Sequence, residues 1–303
     1  MKKGLTFTII AQAQSLNYGE GIGNIAELKK LTRADGNVYT FASRQCLRYD
    51  IVRLAAELFN WNLQVVDKSK GTIQFKDNMT IEDSQEMDLF GYMKTAKKDD
   101  KDKGGSATRE AVVRLSNAIS LEAYRSDMDF LNNKGLADRI NEHPNLANVE
   151  QHLSYYTYTV TIDLSKIGVD GEINLSNEEK CNRVTQLLEI IKILNRNIRG
   201  RQENLSPLFV VGGIYDIANP FFLGRVKVEG DKNGYKVSSN TIKEVVNSTF
   251  LGKELKESTY VGMVEGAFTN KNELKDILGE NLLTVDKFFG ELTMGVKEYY
   301  GVK

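Results

Sequence analysis

The chain is poor in the residues that build most compact enzyme sites. Of its 303 residues, only two are cysteine and two histidine. Cys46 and Cys181 have no metal-ligand spacing, and each falls in a helical pattern. That excludes a disulfide framework and fits a reduced, cytoplasmic compartment. His143 and His152 have no Asp, Glu or Cys pattern around them, so they read as surface-loop residues and no metal site is expected. Gly-x-Ser-x-Gly is absent, and Cys46 has no histidine near it in sequence, which leaves no nucleophile–base pair. Three prolines and no low-complexity linker leave nothing to divide the chain. No apolar run approaches the length of a membrane span. Met1-Lys2-Lys3 followed by Gly4–Ala13 mimics a signal peptide, but the segment alternates like a strand and Gln12 and Gln14 follow it. Charge of one sign is missing too. Forty basic residues face 41 acidic ones, a net charge of −1. No overall field draws the protein to nucleic acid, although a local basic groove remains compatible with these numbers.

What is present is ordered by hydrophobic period. Leu5, Phe7, Ile9, Ala11 and Ala13 alternate with polar residues and predict strand one. A polar, Gly-rich segment from Ser15 to Asn24 follows, then a short helical piece over Ile25–Leu31, and an Asp35-Gly36 turn into Val38–Phe41. A long helix is expected from about Ser43 to Asn60. Leu63, Val65, Val66, Ile73 and Phe75 suggest a small hairpin. Ala96 to Gly105 reads as a mobile charged loop. Strand two runs from Val113 to Leu121. Residues 124–154 break the pattern and read as a protruding insertion. Tyr156, Tyr158, Val160, Ile162 and Leu164 form one face of strand three. A second long helix is predicted over Glu178–Ile198 and strand four over Pro207–Tyr215. A hairpin (Phe221–Val237), a helix (Thr241–Leu255), a strand (Tyr260–Phe268) and two C-terminal helices complete the chain. The predicted class is α+β, a ferredoxin-like, RRM-like βαββαβ core with additions.

The stretch Thr40-Phe41-Ala42-Ser43-Arg44-Gln45-Cys46-Leu47-Arg48 stands where an extended segment enters the first helix. Leu47, Ile51, Leu54, Ala55 and Leu58 define its apolar stripe, and Ser43 is a plausible N-cap. On a helical wheel Arg44 lies on that stripe and Arg48 borders it. Cations at a helix N-terminus gain nothing from the dipole, which favours anions there. Two readings stand. One is a phosphate held by both arginines and the free N–H groups. The other is an intramolecular salt bridge at the sheet edge.

Other motifs are weaker. Gly19-Glu20-Gly21-Ile22-Gly23 lacks the Lys-Ser/Thr of a P-loop and the spacing of a dinucleotide fingerprint. Asp127 and Asp129 have no apolar pocket nearby to make them an acid/base pair. No RNP1 pattern occurs, and the Tyr156/Tyr158 face continues into Val, Ile and Leu, which marks it as core.

Taken in order, these segments resemble the backbone subunit of type I CRISPR Cascade surveillance complexes, in the DevR-like branch and subtype I-B. The resemblance spans essentially the whole chain. It is carried by strand one, the polar loop with Asn17 and Asn24, Ser43-Arg44-Gln45-Cys46-Leu47-Arg48, Asp88-Leu89-Phe90-Gly91-Tyr92-Met93, the Val112–Ala123 strand and the insertion before Tyr155. It implies one elaborated domain over 1–303. An RRM-like palm would comprise about 1–61, 88–123 and 155–303, with fingers at about 62–87 and a thumb at about 124–154. It implies a helical filament of identical copies along a CRISPR RNA (crRNA), with target DNA and other Cascade subunits as partners, no membrane and no cofactor. Asn17, Ser43, Arg44, Gln45, Arg48, Arg199 and Arg201 would bind RNA. Met93 and Phe130 would wedge beside displaced bases; the bland readings are a core filler and an internal anchor. Glu82, Asp83, Glu86 and Asp88 are then expected away from the RNA face or at subunit contacts. Type III backbones resemble this subunit but cleave target RNA with an aspartate in the loop after strand one. Here Ser15 to Asn24 contains Asn17 and Glu20 and no aspartate, so binding rather than catalysis is expected. The alternatives are such a ribonuclease, or an unrelated enzyme on a ferredoxin-like core.

Overall fold

The structure, a computed structural model, describes residues 3–68, 71–95 and 106–303. The charged loop expected at 96–105 lies outside the described residues. β1 (Gly4–Gln14) is the central strand, and both of its faces are covered. Its odd-numbered residues Leu5, Phe7, Ile9 and Ala11 enter one core, and Ile10 enters another. On that second face Thr6 and Thr8 are buried as well. Each finds a hydroxyl across the sheet, Thr161 at 2.9 Å and Thr159 at 2.7 Å, which satisfies groups that burial would otherwise leave unpaired.

The helix expected over Ile25–Leu31 does not form. Instead β2 (Ile25–Ala26) and β3 (Lys30–Thr32) are short strands. β3 pairs with β4 (Val38–Ala42) through the turn at Asp35-Gly36, where Gly36 has φ 79°. α1 (Arg44–Phe59) follows, closed by Asn60 in the left-handed region. β5 (Val66–Asp67) and β6 (Gln74–Phe75) make the small expected hairpin. α2 (Gln85–Phe90) ends at Gly91, with φ 72°. A Cβ there would lie 2.4 Å from the Arg109 carbonyl oxygen, so the glycine of Leu-Phe-Gly-Tyr-Met is required by the backbone. β7 (Tyr92–Thr95) pairs with β8 (Ser106–Arg109).

The predicted second strand is broken at Ser116-Asn117 into β9 (Val113–Leu115) and β10 (Ala118–Ser120). Residues 124–154 are more ordered than their pattern suggests. β11 (Asp127–Asn132) and β12 (Leu146–Gln151) form a two-stranded arm bridged by a short helix, α3 (Lys134–Ala137), and β2 adds to it in parallel. β13 (Leu153–Asp163) is the long partner of β1. After the minor hairpin β14 (Val169–Asp170) and β15 (Ile173–Asn174) comes α4 (Asn177–Lys192). It stops short of Ile198 because β16 (Asn195–Ile198) and β17 (Arg201–Asn204) fold into a hairpin. Arg199 and Gly200 form its turn at φ 47° and 74°, a geometry that matches strand twist.

β18 (Phe209–Tyr215) lies on the other side of β1. A hairpin of β19 (Val228–Asp231) and β20 (Gly234–Val237) precedes α5 (Ser239–Val246). This helix ends well before Leu255, because β21 (Thr249–Phe250) and β22 (Lys253–Glu254) intervene. β23 (Thr259–Met263), α6 (Lys271–Leu278), β24 (Leu282–Leu283) and α7 (Val285–Tyr300) complete the chain. The main mixed sheet runs β24-β23-β18-β1-β13-β10-β4-β3, with β9 also on β13. Predicted strands four, one, three and two thus lie side by side in that order. One core unites the sheet with α1, α4 and α7; the second lies under α5 and α6. Among the described residues, no helix is long and apolar enough to cross a membrane.

Candidate functional site

The start of α1 is fixed by residues from two other segments. Ser43 Oγ accepts the Cys46 N–H at 3.3 Å, as the N-cap prediction requires. The Ser43 N–H donates to Asn17 Oδ1 at 3.3 Å, and the Arg44 N–H donates to Asn117 Oδ1 at 2.9 Å. Asn17 therefore ties the polar loop to the helix entrance, and two first-turn amides are already engaged. The helix end offers an anion fewer free N–H groups than the sequence alone suggests.

The arginines lie differently from the wheel projection. Arg44 is exposed rather than on the buried stripe, and its side chain has no ion pair or hydrogen-bond partner among the described residues. Gln45 beside it is exposed too. Arg48 is half-buried. Its Nε and Nη2 both donate to Glu86 Oε1, at 3.1 and 2.7 Å, and its guanidinium lies 5.2 Å from the Phe90 ring centre. The salt-bridge reading thus holds for Arg48 and fails for Arg44. Both line an open groove with Gln45, Phe90, Ala111 and Arg114. The sequence reading missed Arg114, although its place between Val113 and Leu115 marks it as the outward residue of a strand.

Arg199 and Arg201 lie in or beside the turn of the β16–β17 hairpin, not at a helix end. Arg199 is exposed, with its guanidinium 4.3 Å from the centre of the Tyr18 ring. Arg201 is half-buried and donates to Gln151 Oε1 at 3.2 Å, with Glu203 3.4 Å away. Tyr18 in turn donates to the Glu150 carbonyl oxygen, so hairpin, polar loop and the base of the β11–β12 arm are joined. Met93 on β7 is 62% exposed and Phe130 on β11 is 57% exposed, which removes the core-filler and internal-anchor readings.

Two acidic residues of the Glu82–Asp88 cluster are paired within the chain: Glu86 borders the groove rather than lying away from it, while Asp88 is interior. Glu86 pairs with Arg48 within the chain. Asp88 is fully buried; its carboxylate meets Arg109 at 2.5 Å and Arg183 at 2.9 Å, and accepts the Gly168 N–H at 3.0 Å. This knot joins α2, β8, α4 and the turn before β14.

His152 is likewise buried rather than in a surface loop, at the joint between β12 and β13. Its Nδ1 lies 2.7 Å from Thr40 Oγ1, which also meets the Tyr156 hydroxyl at 2.8 Å. The Tyr124 and Tyr156 rings stand edge-on to it. Burial pushes the imidazole below its ordinary pKa of 6.5, opposed by the carboxylates of Glu122 and Asp127. The unfolded chain then takes up a proton that the folded chain refuses as pH falls through 6.5. Stability is expected to be flat above that point and to fall below it. In His152→Gln this part of the decline should disappear. Urea titrations at stepped pH check it; an unchanged acid slope in the variant counts against it.

The comparisons with known proteins agree with one another. The sequence model of a family described as "CRISPR-associated negative auto-regulator DevR/Csa2" matches residues 5–235. The "CRISPR-associated protein Cas7/Cst2/DevR" of Myxococcus xanthus (strain DK1622) is 28% identical over 181 residues. That alignment covers 54% of this chain and 58% of the relative, under two thirds of its length. A solved chain described as "CRISPR RNA-guided surveillance complex" superposes with a TM-score of 0.56 at 13% identity, covering 98% of this chain and 99% of its own. A second, from a "CRISPR RNA-guided surveillance complex, pre-nicking", gives 0.56 at 11% identity, covering 97% and 100%. At such identities the likeness is one of fold.

Proposed function

The chain belongs to the DevR/Csa2 family of CRISPR-associated proteins, and from that premise we propose that it is the crRNA-binding backbone subunit of a type I Cascade complex, subtype I-B. Copies line up along one guide RNA as a helical filament in the cytoplasm and present the guide for pairing with target DNA, alongside other Cascade subunits. The main sheet with α1 and α4 acts as the palm, the region of β5 and β6 as fingers, and the β11–β12 arm as a thumb reaching the next copy.

One observation carries this reading: Arg44, an exposed guanidinium with no partner in its own chain among the described residues, in a groove with Arg48 and Arg114. A cation left free at a helix entrance is best explained by an anion from outside, and phosphate matches the guanidinium fork. Arg199 presents a second exposed guanidinium on the hairpin tied to the polar loop. Phosphate contacts fix register without reading bases, so any guide sequence is accepted. Sequence is then read by pairing between guide and target. Met93 and Phe130 project from hairpins as apolar wedges, which interrupt stacking and divide the duplex into short segments. The role is binding, and the polar loop after β1 contains no aspartate to act on target RNA.

Natively purified protein should show a nucleic-acid absorbance ratio and release RNA of defined length on extraction. The loaded protein, incubated with matching RNA and a divalent metal, should leave that RNA intact. Regular metal-dependent fragments would instead indicate a ribonuclease, and protein free of RNA would count against the RNA-binding reading.

A further inference from the structure

The positive side chains of the groove are not equally available. Arg48 is held at Nε and Nη2 by one oxygen of Glu86. Arg114 lies 3.2 Å from Glu110. Of the three groove arginines, Arg44 is the one with no carboxylate partner among the described residues. The groove is therefore close to charge-compensated in the free chain, which matches the nearly neutral composition of the whole.

We propose that Glu86 is an intramolecular stand-in for an RNA phosphate, occupying Arg48 in the free subunit and giving way when the strand enters. This rests on the RNA-binding reading above and adds to it a residue that sets affinity. The pair is poised to exchange rather than to lock. Both donors of Arg48 converge on Oε1 alone, so the two-oxygen fork that makes such pairs strong is not formed. The side chains are 32% and 20% exposed, so water screens the attraction. Phe90, one turn further along α2, keeps the guanidinium in place by stacking when the carboxylate leaves. A phosphate between Arg44 and Arg48 meets two cations where Glu86 meets one. Breaking the internal pair weakens RNA capture by a single subunit. Stable loading then depends on many copies engaging one strand, where each further contact is made at high effective concentration.

The opposite role is a positioning clamp, in which Glu86 aims Arg48 at the RNA; the two roles predict opposite signs. Full-length protein stripped of endogenous RNA is titrated with fluorescently labelled single-stranded RNA of unrelated sequences. Glu86→Gln should bind about two- to fivefold more tightly at low salt, the size of a partly exposed ion pair. The dependence of log affinity on log salt should keep nearly the same slope, since Arg48 meets the same phosphate in both complexes. In an Arg48→Ala background Glu86→Gln should change nothing. Glu86→Ala is the second variant, should the glutamine fail to fold. Weaker RNA binding by a folded Glu86 variant makes the residue a clamp, unchanged binding gives it neither role, and either result overturns the proposal. If the unsubstituted protein binds no RNA at any salt, the RNA-binding reading itself fails; tight wild-type binding with an unmoved Glu86 variant sinks the inference alone.

Discussion

Asp88→Ala should lose about 3–5 kcal/mol of folding stability, the cost of leaving buried charge without its partner. Asp88 is 0% exposed and balances two guanidiniums, those of Arg109 and Arg183, while also accepting the Gly168 N–H. Arg183 is 2% exposed, and its other bonds run to Glu179 Oε1 and the Ile81 carbonyl oxygen. Without Asp88, Arg109 keeps backbone carbonyl partners at Val169 and Lys166 but, among the described residues, no carboxylate nearer than that of Asp170 at 3.8 Å, and Arg183 loses its anion on α2. Asp88→Asn preserves shape but removes the charge, so it should recover part of the loss and no more. The effect extends beyond stability. α2 supplies Glu86 and Phe90 to Arg48, so loosening its C-terminal end disturbs one wall of the groove. Denaturant titration gives the number; a loss under about 1 kcal/mol for the alanine variant would mean that the knot is not what holds α2.

Arg44→Ala combined with Arg48→Ala should weaken RNA binding about a hundredfold at moderate salt, from roughly 1.5 kcal/mol for each charge-assisted contact. The salt slope should become shallower by about 1.4, since two phosphate contacts disappear. The loss should be alike for all RNA sequences, because these contacts touch no base edge. The single variants should differ. Arg44→Ala should cost more than Arg48→Ala, since Arg48 has to break its bond with Glu86 before it binds phosphate. Binding curves across a salt series check this. Full-length filaments formed by the double variant at ordinary salt would remove both residues from the interface. Folding is not expected to suffer, because Arg44 is exposed and Arg48 partly so.

The regular elements were legible where one face of a segment is apolar along its whole length. β1, β13, β18, α1 and α4 all follow from local periodicity, and Ser43 caps α1 as its position predicts. The errors fall where a segment is short and its residues fit more than one period. β3 bonds to β4, and β2 bonds to β12 far along the chain, so their few residues carried no strand pattern of their own. The β16–β17 hairpin was absorbed into the preceding helix, because Asn, Arg and Gln fit either period. The family resemblance was visible in the order of motifs, and residues 5–235 match the family.

The candidate residues divide in the same way. Arg44 and Arg48 stood out in sequence as cations at a helix entrance, but nothing local separates them. Arg48's partner Glu86 lies 38 positions away, and Arg183 stands 95 from Asp88. By itself, then, the order of amino acids determined which faces are apolar, where α1 begins and which family the chain resembles, because hydrophobic period and capping act between near neighbours. Only the tertiary structure decided which charges neutralise each other, that Asp88 and His152 are interior, and that Arg44 alone among the groove arginines faces solvent without a carboxylate partner among the described residues. Coulomb attraction and desolvation act through space, and folding brings together groups that the chain keeps apart.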